Sequence, residues 1–396
     1  MKSRNIEAQE RWQKNIQLNY GTPQLSLAKG SGSVVWDVDG NRYLDLLGGI
    51  ATTVVGHANP TVVSAVSKQI RELSHVSNFY MHEPALKLAQ KLTGFTGSDK
   101  ARVFFCNSGA EANEAALKIS RLTGRTQIIS MEGSFHGRTT GALSMTGQSA
   151  KRIPFLPLLK DVKFAPFGDI DSLRRLISRR VAMVILEPIQ GEIGVVVPPS
   201  DYLKNVRELC DRYGVLLCID AVQTGMGRTG EWFGYEYSGI TPDIITLAKG
   251  LGGGLPLGAM ITVTENAPAF KPGEHGTTFG GNPVSCAAGL AAISVIEKKE
   301  LLVRSKKVGG LIKSEISKLP GVVEVRGAGL LRGVVLDQDV ANKVVDLARA
   351  HGLLLNAPSP RVIRLAPALT ITDAQVGEFI KKFAFALKSV REEKIA

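Results

Sequence analysis

The run Val181-Ala182-Met183-Val184-Ile185-Leu186 contains no polar side chain, and this feature most constrains the fold. A strand that is apolar at every position needs both faces covered, which a sheet open to water does not supply. The same character recurs in Val215-Leu216-Leu217-Cys218-Ile219 and in Asp243-Ile244-Ile245-Thr246-Leu247-Ala248, with shorter runs at Arg102–Cys106 and Thr126–Ser130. Between the runs the apolar spacing becomes helical, as over Ala110–Leu122 and Tyr202–Tyr213. This alternation predicts an α/β fold with a doubly wound, largely parallel sheet.

Two of the runs end in charge. Asp220 closes the Val215–Ile219 run, and Lys249 closes the Asp243–Ala248 run just before Gly250-Leu251-Gly252-Gly253-Gly254. Open α/β sheets bind ligands at the carboxyl ends of their strands. An unpaired charge there is costly, so each residue is expected to hold a partner. A pyridinium suits Asp220 and an aldehyde suits Lys249, and pyridoxal phosphate carries both groups. Each residue also has an ordinary reading, the Asp as a cap or turn residue and the Lys as a solvated loop residue. The surrounding motifs decide between them.

Bulk properties set the frame. A chain of 396 residues, 44% apolar and 21% charged, can bury a large core and form a large domain with a smaller one. Its net charge of +12 raises the question of nucleic acid. Yet the basic pairs Arg174-Arg175, Arg179-Arg180, Lys306-Lys307 and Lys381-Lys382 are dispersed beside Leu and Ile, as on solvated helix faces. No nucleic-acid partner is expected, and the surplus favours anionic substrates. Cys106, Cys210, Cys218 and Cys286 lack metal-ligand spacing, so reduced, buried thiols and no metal are expected. The first residues carry no apolar signal core, and no run approaches the roughly 18 residues that cross a bilayer. A cytoplasmic protein without a membrane partner is expected.

The N-terminal part reads as loop until a hairpin, Ser33–Val38 and Arg42–Asp45, turns at Asp39-Gly40. A helix is predicted from Pro60, and another from about Cys286 to Lys299. The expected division is residues 1–45 packing on a small C-terminal α+β domain of residues 301–396, with residues 46–300 as the large cofactor-binding domain.

Several motifs carry chemistry. Asn107-Ser108-Gly109-Ala110-Glu111-Ala112 joins a strand to a helix, where Ser108 and the N–H groups of Gly109 and Ala110 are placed to hold a phosphate. Gly225-Met226-Gly227-Arg228-Thr229-Gly230 matches a dinucleotide fingerprint, but it follows the strand end late and opens no helix, so it is rejected. Gly133-Ser134-Phe135-His136-Gly137-Arg138-Thr139 sets a ring able to stack beside a guanidinium able to clamp a carboxylate. Glu187-Pro188-Ile189-Gln190-Gly191-Glu192 ends another strand, and Arg364 interrupts an apolar run. Arg364 needs an acid, for which Glu192 or a substrate carboxylate would serve.

Together these strings resemble the class III, fold-type I aminotransferases that use pyridoxal 5'-phosphate, and most nearly their acetylornithine branch. The carrying strings are Ser108–Asn113, Ser134–Thr139, Leu247–Gly250 and His275–Pro283. The resemblance implies that Lys249 binds the cofactor aldehyde as a Schiff base and moves the proton, while Asp220 holds the ring nitrogen. It implies that Gln223 bonds the ring oxygen, that Val222 and Phe135 cover the two ring faces, and that Ser108, Gly109 and Ala110 take the phosphate. Thr278 would reach the phosphate from the second subunit of a homodimer. Arg138, with Thr277 nearby, would take the α-carboxylate of an acylated diamino acid. Arg364 would take that of glutamate or 2-oxoglutarate, with Glu192 covering it in the other half-reaction. The implied reaction moves the terminal amino group of N2-acetyl-L-ornithine to 2-oxoglutarate, as in arginine biosynthesis. Succinylornithine, 4-aminobutyrate, ornithine and a carrier-bound lysine precursor are the alternative donors. One departure stands out: Ala221 follows Asp220 where the family commonly has Glu. His136 follows the acetylornithine pattern, in place of the Trp usual in ornithine aminotransferases.

Overall fold

Three sheets organise the chain in the computed structural model, which describes residues 3–392. β1 (Leu27–Ser31), β2 (Val34–Asp37) and β3 (Arg42–Asp45) form an N-terminal meander, with β2 and β3 pairing as the predicted hairpin.

The central sheet holds β4 (Arg102–Cys106), β5 (Gln127–Met131), β6 (Val162–Ala165), β7 (Val181–Leu186), β8 (Leu216–Asp220), β9 (Ile244–Leu247) and β10 (Gly258–Thr262). Their spatial order is β4-β10-β9-β8-β7-β5-β6. Every residue of β7, β8 and β9 is buried, as continuous apolar runs require. The pairs β5–β6, β5–β7, β7–β8 and β8–β9 are parallel. β10 runs antiparallel to both of its neighbours. Residues 248–257 are too few for the crossover that a parallel return demands, so the chain doubles back. The same short return holds Lys249 at the sheet edge where β8 delivers Asp220.

The rest of the chain supplies β11 (Val322–Ala328), β12 (Leu331–Leu336), β13 (Leu353–Leu354), β14 (Asn356–Ser359) and β15 (Val362–Leu365). β11, β12, β15 and β14 form an antiparallel sheet in that order, whereas β13 pairs in parallel with β3. The helix Pro283–Lys298, which is alanine-rich and mostly buried, packs against the helices Pro60–Glu72 and Glu83–Thr96.

One expectation fails at the N-terminal end. The segment before Ser33 is not loop: it contains the helix Arg4–Asn15 and the strand β1. The helix has almost no buried apolar face, which is why periodicity missed it. Polar contacts hold it instead. Ser3 caps its first turn, and the Asn5 amide donates to Asp37 and Asp39. All four cysteines are buried and free, and burial raises the thiols of Cys106, Cys210 and Cys286 to about 12. Among the described residues no helix is long and apolar enough to cross a membrane.

Candidate active site

Asp220 is buried at the carboxyl end of β8. Its Oδ2 accepts from His136 Nδ1 at 2.7 Å and from Asn113 Nδ2 at 2.8 Å, while Oδ1 accepts from the Val222 N–H at 3.0 Å. Asn113 is itself fixed, its Oδ1 accepting from Thr246 Oγ1 and its amide donating to the His136 carbonyl. A carboxylate bonded in this way keeps its direction. Sequence reading singled out Asp220 but assigned Asn113 no role. The available signal was a buried Asn among Ala112, Ala115, Ala116 and Ile119 on one helix face, because a buried amide must find partners.

A cavity of ≈ 450 Å³ opens beside this carboxylate, lined among others by Ser108, Gly109, Ala110, Phe135, Arg138, Val222 and Lys249. Ser108 caps the helix Gly109–Arg121, with Oγ accepting from the Glu111 N–H. The following N–H groups and the helix dipole point positive charge into the cavity. Gly109 is needed for the approach, since a Cβ there would lie 2.8 Å from the Val222 side chain. Lys249 has φ +44°, a left-handed conformation costing a non-glycine residue about 1–2 kcal/mol. Its amine forms no hydrogen bond with any described residue. Burial lowers its pKa; Arg364 adds to the effect, while Glu192, Asp220 and Glu187 partly oppose it. An amine so placed is ready to attack a carbonyl carbon.

Glu192 and Arg364 meet at the far side, with Arg364 Nη1 donating to Glu192 Oε1 at 2.6 Å. Arg364 also donates to the Gly191 carbonyl, to Gln223 Oε1 and to Asn356 Oδ1. Burial pushes the Glu192 carboxyl up, but Arg364, Lys249 and Gln223 together hold it below its usual value. Gln223, expected at a ring oxygen, lines the cavity with its amide turned onto this pair. Arg138 is exposed, its guanidinium 5.5 Å from the Phe135 ring centroid, and it forms no ion pair among the described residues. Thr277 accepts from Asn107 Nδ2 at 3.1 Å. Thr278 lies outside the Lys249 cavity of its own chain, exposed in a crevice with His75 and Asn78.

Glu187 is the second buried acid at this edge. It accepts from the N–H groups of Phe135 and Gly191. Burial raises its pKa to about 7, which Asp220 reinforces and His136 opposes.

The chain is similar to known enzymes. The model of the aminotransferase class-III family matches residues 16–387. The chain belongs to the class-III aminotransferases. It is 52% identical to the acetylornithine aminotransferase of Streptomyces coelicolor, over 95% of this chain and 94% of that one. It is 51% identical to that of Mycobacterium tuberculosis, over 94% of each chain. Among solved structures, an ornithine aminotransferase from Toxoplasma gondii superposes with TM-score 0.94 at 31% identity, covering 99% of this chain and 96% of that one. An N-acetylornithine aminotransferase from Stenotrophomonas maltophilia gives TM-score 0.81 at 35% identity, covering 95% and 99%.

This aminotransferase therefore depends on pyridoxal 5'-phosphate and acts on amino acids and 2-oxo acids. The site fits that cofactor. The bonded Asp220 complements a protonated ring nitrogen, the capped helix start complements a phosphate, and the unpartnered Lys249 amine complements an aldehyde. Val222, which packs close against Gly109, and Phe135 both line the cavity, and apolar walls of this kind suit a flat ring.

Proposed function

We propose that this aminotransferase moves the terminal amino group of N2-acetyl-L-ornithine to 2-oxoglutarate, yielding N-acetyl-L-glutamate 5-semialdehyde and L-glutamate in the cytoplasm. The 2.6 Å pair between Glu192 and Arg364, set beside an unpaired Arg138, carries the reading. It suits two alternating substrates: a donor whose α-carboxylate lies at Arg138 while Glu192 masks Arg364, and a dicarboxylate that needs Arg364 uncovered. The names of relatives at about half identity support the same donor.

In this proposal pyridoxal phosphate supplies an aldehyde that takes up amines and a ring that withdraws electrons from the bond being broken. Lys249 would hold the aldehyde, and its amine, whose pKa burial lowers, would serve to move a proton at the reacting carbon. Asp220, braced by His136 and Asn113, would hold the protonated ring nitrogen. Ser108, Gly109 and Ala110 would hold the phosphate, Val222 and Phe135 would cover the ring, and Gln223 would bond the ring oxygen. Thr278 would reach the phosphate from the second subunit of a homodimer, and Thr277 would lie near the donor carboxylate at Arg138. The division into residues 46–300 and 301–396, with 1–45 on the second unit, belongs to the same proposal and is supported by the pairing of β3 with β13.

Mixing cofactor-loaded enzyme separately with N-acetylornithine, ornithine, 4-aminobutyrate and glutamate tests the reading. Rapid loss of the long-wavelength absorbance with N-acetylornithine, reversed by 2-oxoglutarate, is expected. An unchanged band with N-acetylornithine but a response to another amine would remove this donor.

A further inference from the structure

Phe135 has two cations around its ring. Arg138 Cζ lies 5.5 Å and Lys151 Nζ 5.3 Å from the ring centroid, both within cation–π reach. Lys151 is half-buried on the short helix Ser149–Arg152, and its ammonium donates to Gln148 Oε1. Gln148 is tethered in turn, its amide donating to the carbonyls of Gly133 and Ser134, the turn that leads into Phe135. The ammonium is thus held over the ring by a neutral partner. Among the described residues neither Lys151 nor Arg138 forms an ion pair, and the nearby carboxylate of Glu192 is engaged by Arg364.

Two like charges gathered on one ring repel each other unless an anion joins them. Burial lowers the Lys151 pKa, Glu192 opposes this, and Arg138 and Arg364 push it lower still. Glu192, the acid that acts on Lys151, is already engaged by Arg364. A carboxylate has about four lone-pair sites, of which a guanidinium fork occupies two. A third donor close by has an unfilled acceptor to reach.

The geometry points to Lys151 as a specificity determinant of the amino-donor site, its ammonium joining the Arg138 guanidinium on the α-carboxylate of an acylated diamino acid. The inference rests on the donor reading of Arg138 given above. It separates donors by whether they carry that carboxylate.

The test compares holoenzymes of wild type, Lys151→Met, Lys151→Gln and Lys151→Arg. Two donors are used: N-acetylornithine and its carboxylate-free analogue N-acetyl-1,4-diaminobutane. The ratio of kcat/KM for the two donors should fall about tenfold in the Met and Gln variants. The loss should lie in KM for N-acetylornithine, with kcat within about twofold, and Lys151→Arg should restore most of it. The dissociation constant of N-acetyl-L-norvaline, which lacks the reacting amine, should rise by the same factor. An unchanged ratio, an equal loss with both donors, or an unchanged norvaline affinity overturns the role of Lys151. A wild-type enzyme that reacts with glutamate but ignores N-acetylornithine instead overturns the donor reading, and this proposal with it.

Discussion

Arg364 and Glu192, 172 residues apart in sequence, form a 2.6 Å ion pair, and the Gln223 side chain bonds to both of them. In the proposed reaction the pair would make one arginine available to one substrate and unavailable to the other. On the proposed assignment, Glu192→Ala leaves Arg364 permanently open to a substrate carboxylate. Glutamate should then improve as an amino donor relative to N-acetylornithine by about tenfold in the ratio of kcat/KM. Steady-state rates with each donor measure this, and an unaltered ratio would count against the switch.

Lys249 stands alone as an unpartnered amine in the cavity, so its replacement has no substitute. Lys249→Ala should abolish steady-state transamination while leaving the far-ultraviolet circular dichroism unchanged. The variant should also lose the absorbance band of the lysine-bound cofactor. Retained turnover would sink the assignment of Lys249.

Arg138 makes no ion pair among the described residues, so removing it should cost binding and leave the fold intact. Arg138→Ala should weaken N-acetylornithine by about 10–100-fold in kcat/KM, the loss of a charged hydrogen-bonded contact. The half-reaction with glutamate, which the proposal assigns to Arg364, should be largely spared. Equal losses in both half-reactions would mean that Arg138 is not a selective clamp.

Glu187 predicts a dependence of stability on pH in the cofactor-free protein. Its carboxyl sits at about 7 in the fold against a usual 4.5, so the native state holds the proton more tightly than the unfolded chain. Stability from this group is complete below about 4.5 and is lost as pH rises through 7, up to about 3 kcal/mol in all. Wild type should therefore lose stability relative to Glu187→Gln between pH 5 and pH 8. Urea midpoints of the two proteins at both pH values measure the gap; a constant gap would show that Glu187 is not the titrating group.

The parallel strands were legible because their signal is local. β7, β8 and β9 are buried at every position and read as apolar runs, and the helix Tyr202–Tyr213 has the bounds that its periodicity predicts. The helix Arg4–Asn15 was not legible, since polar bonds from Asn5 to Asp37 and Asp39 hold it in place of an apolar stripe. In the candidate site, Asp220, Lys249 and the Ser108 turn announced themselves as charge or capping residues at strand ends. Lys151 did not, because nothing in Ser149-Ala150-Lys151-Arg152 distinguishes it from a surface lysine until Gln148 and Phe135 are seen around it.

What the chain alone determined, then, was the alternation of covered strands and helices, and the two charges that end β8 and β9. Those are properties of short stretches, set by side-chain hydropathy and backbone period. What only the tertiary structure decided was which groups meet: His136 on Asp220, Glu192 on Arg364, and Lys151 and Arg138 at the Phe135 ring. Such pairings depend on strand order and loop return, as in the antiparallel turn into β10. A hydrogen bond records the position of two atoms in space, and separations of 84 and 172 residues leave no local trace of it.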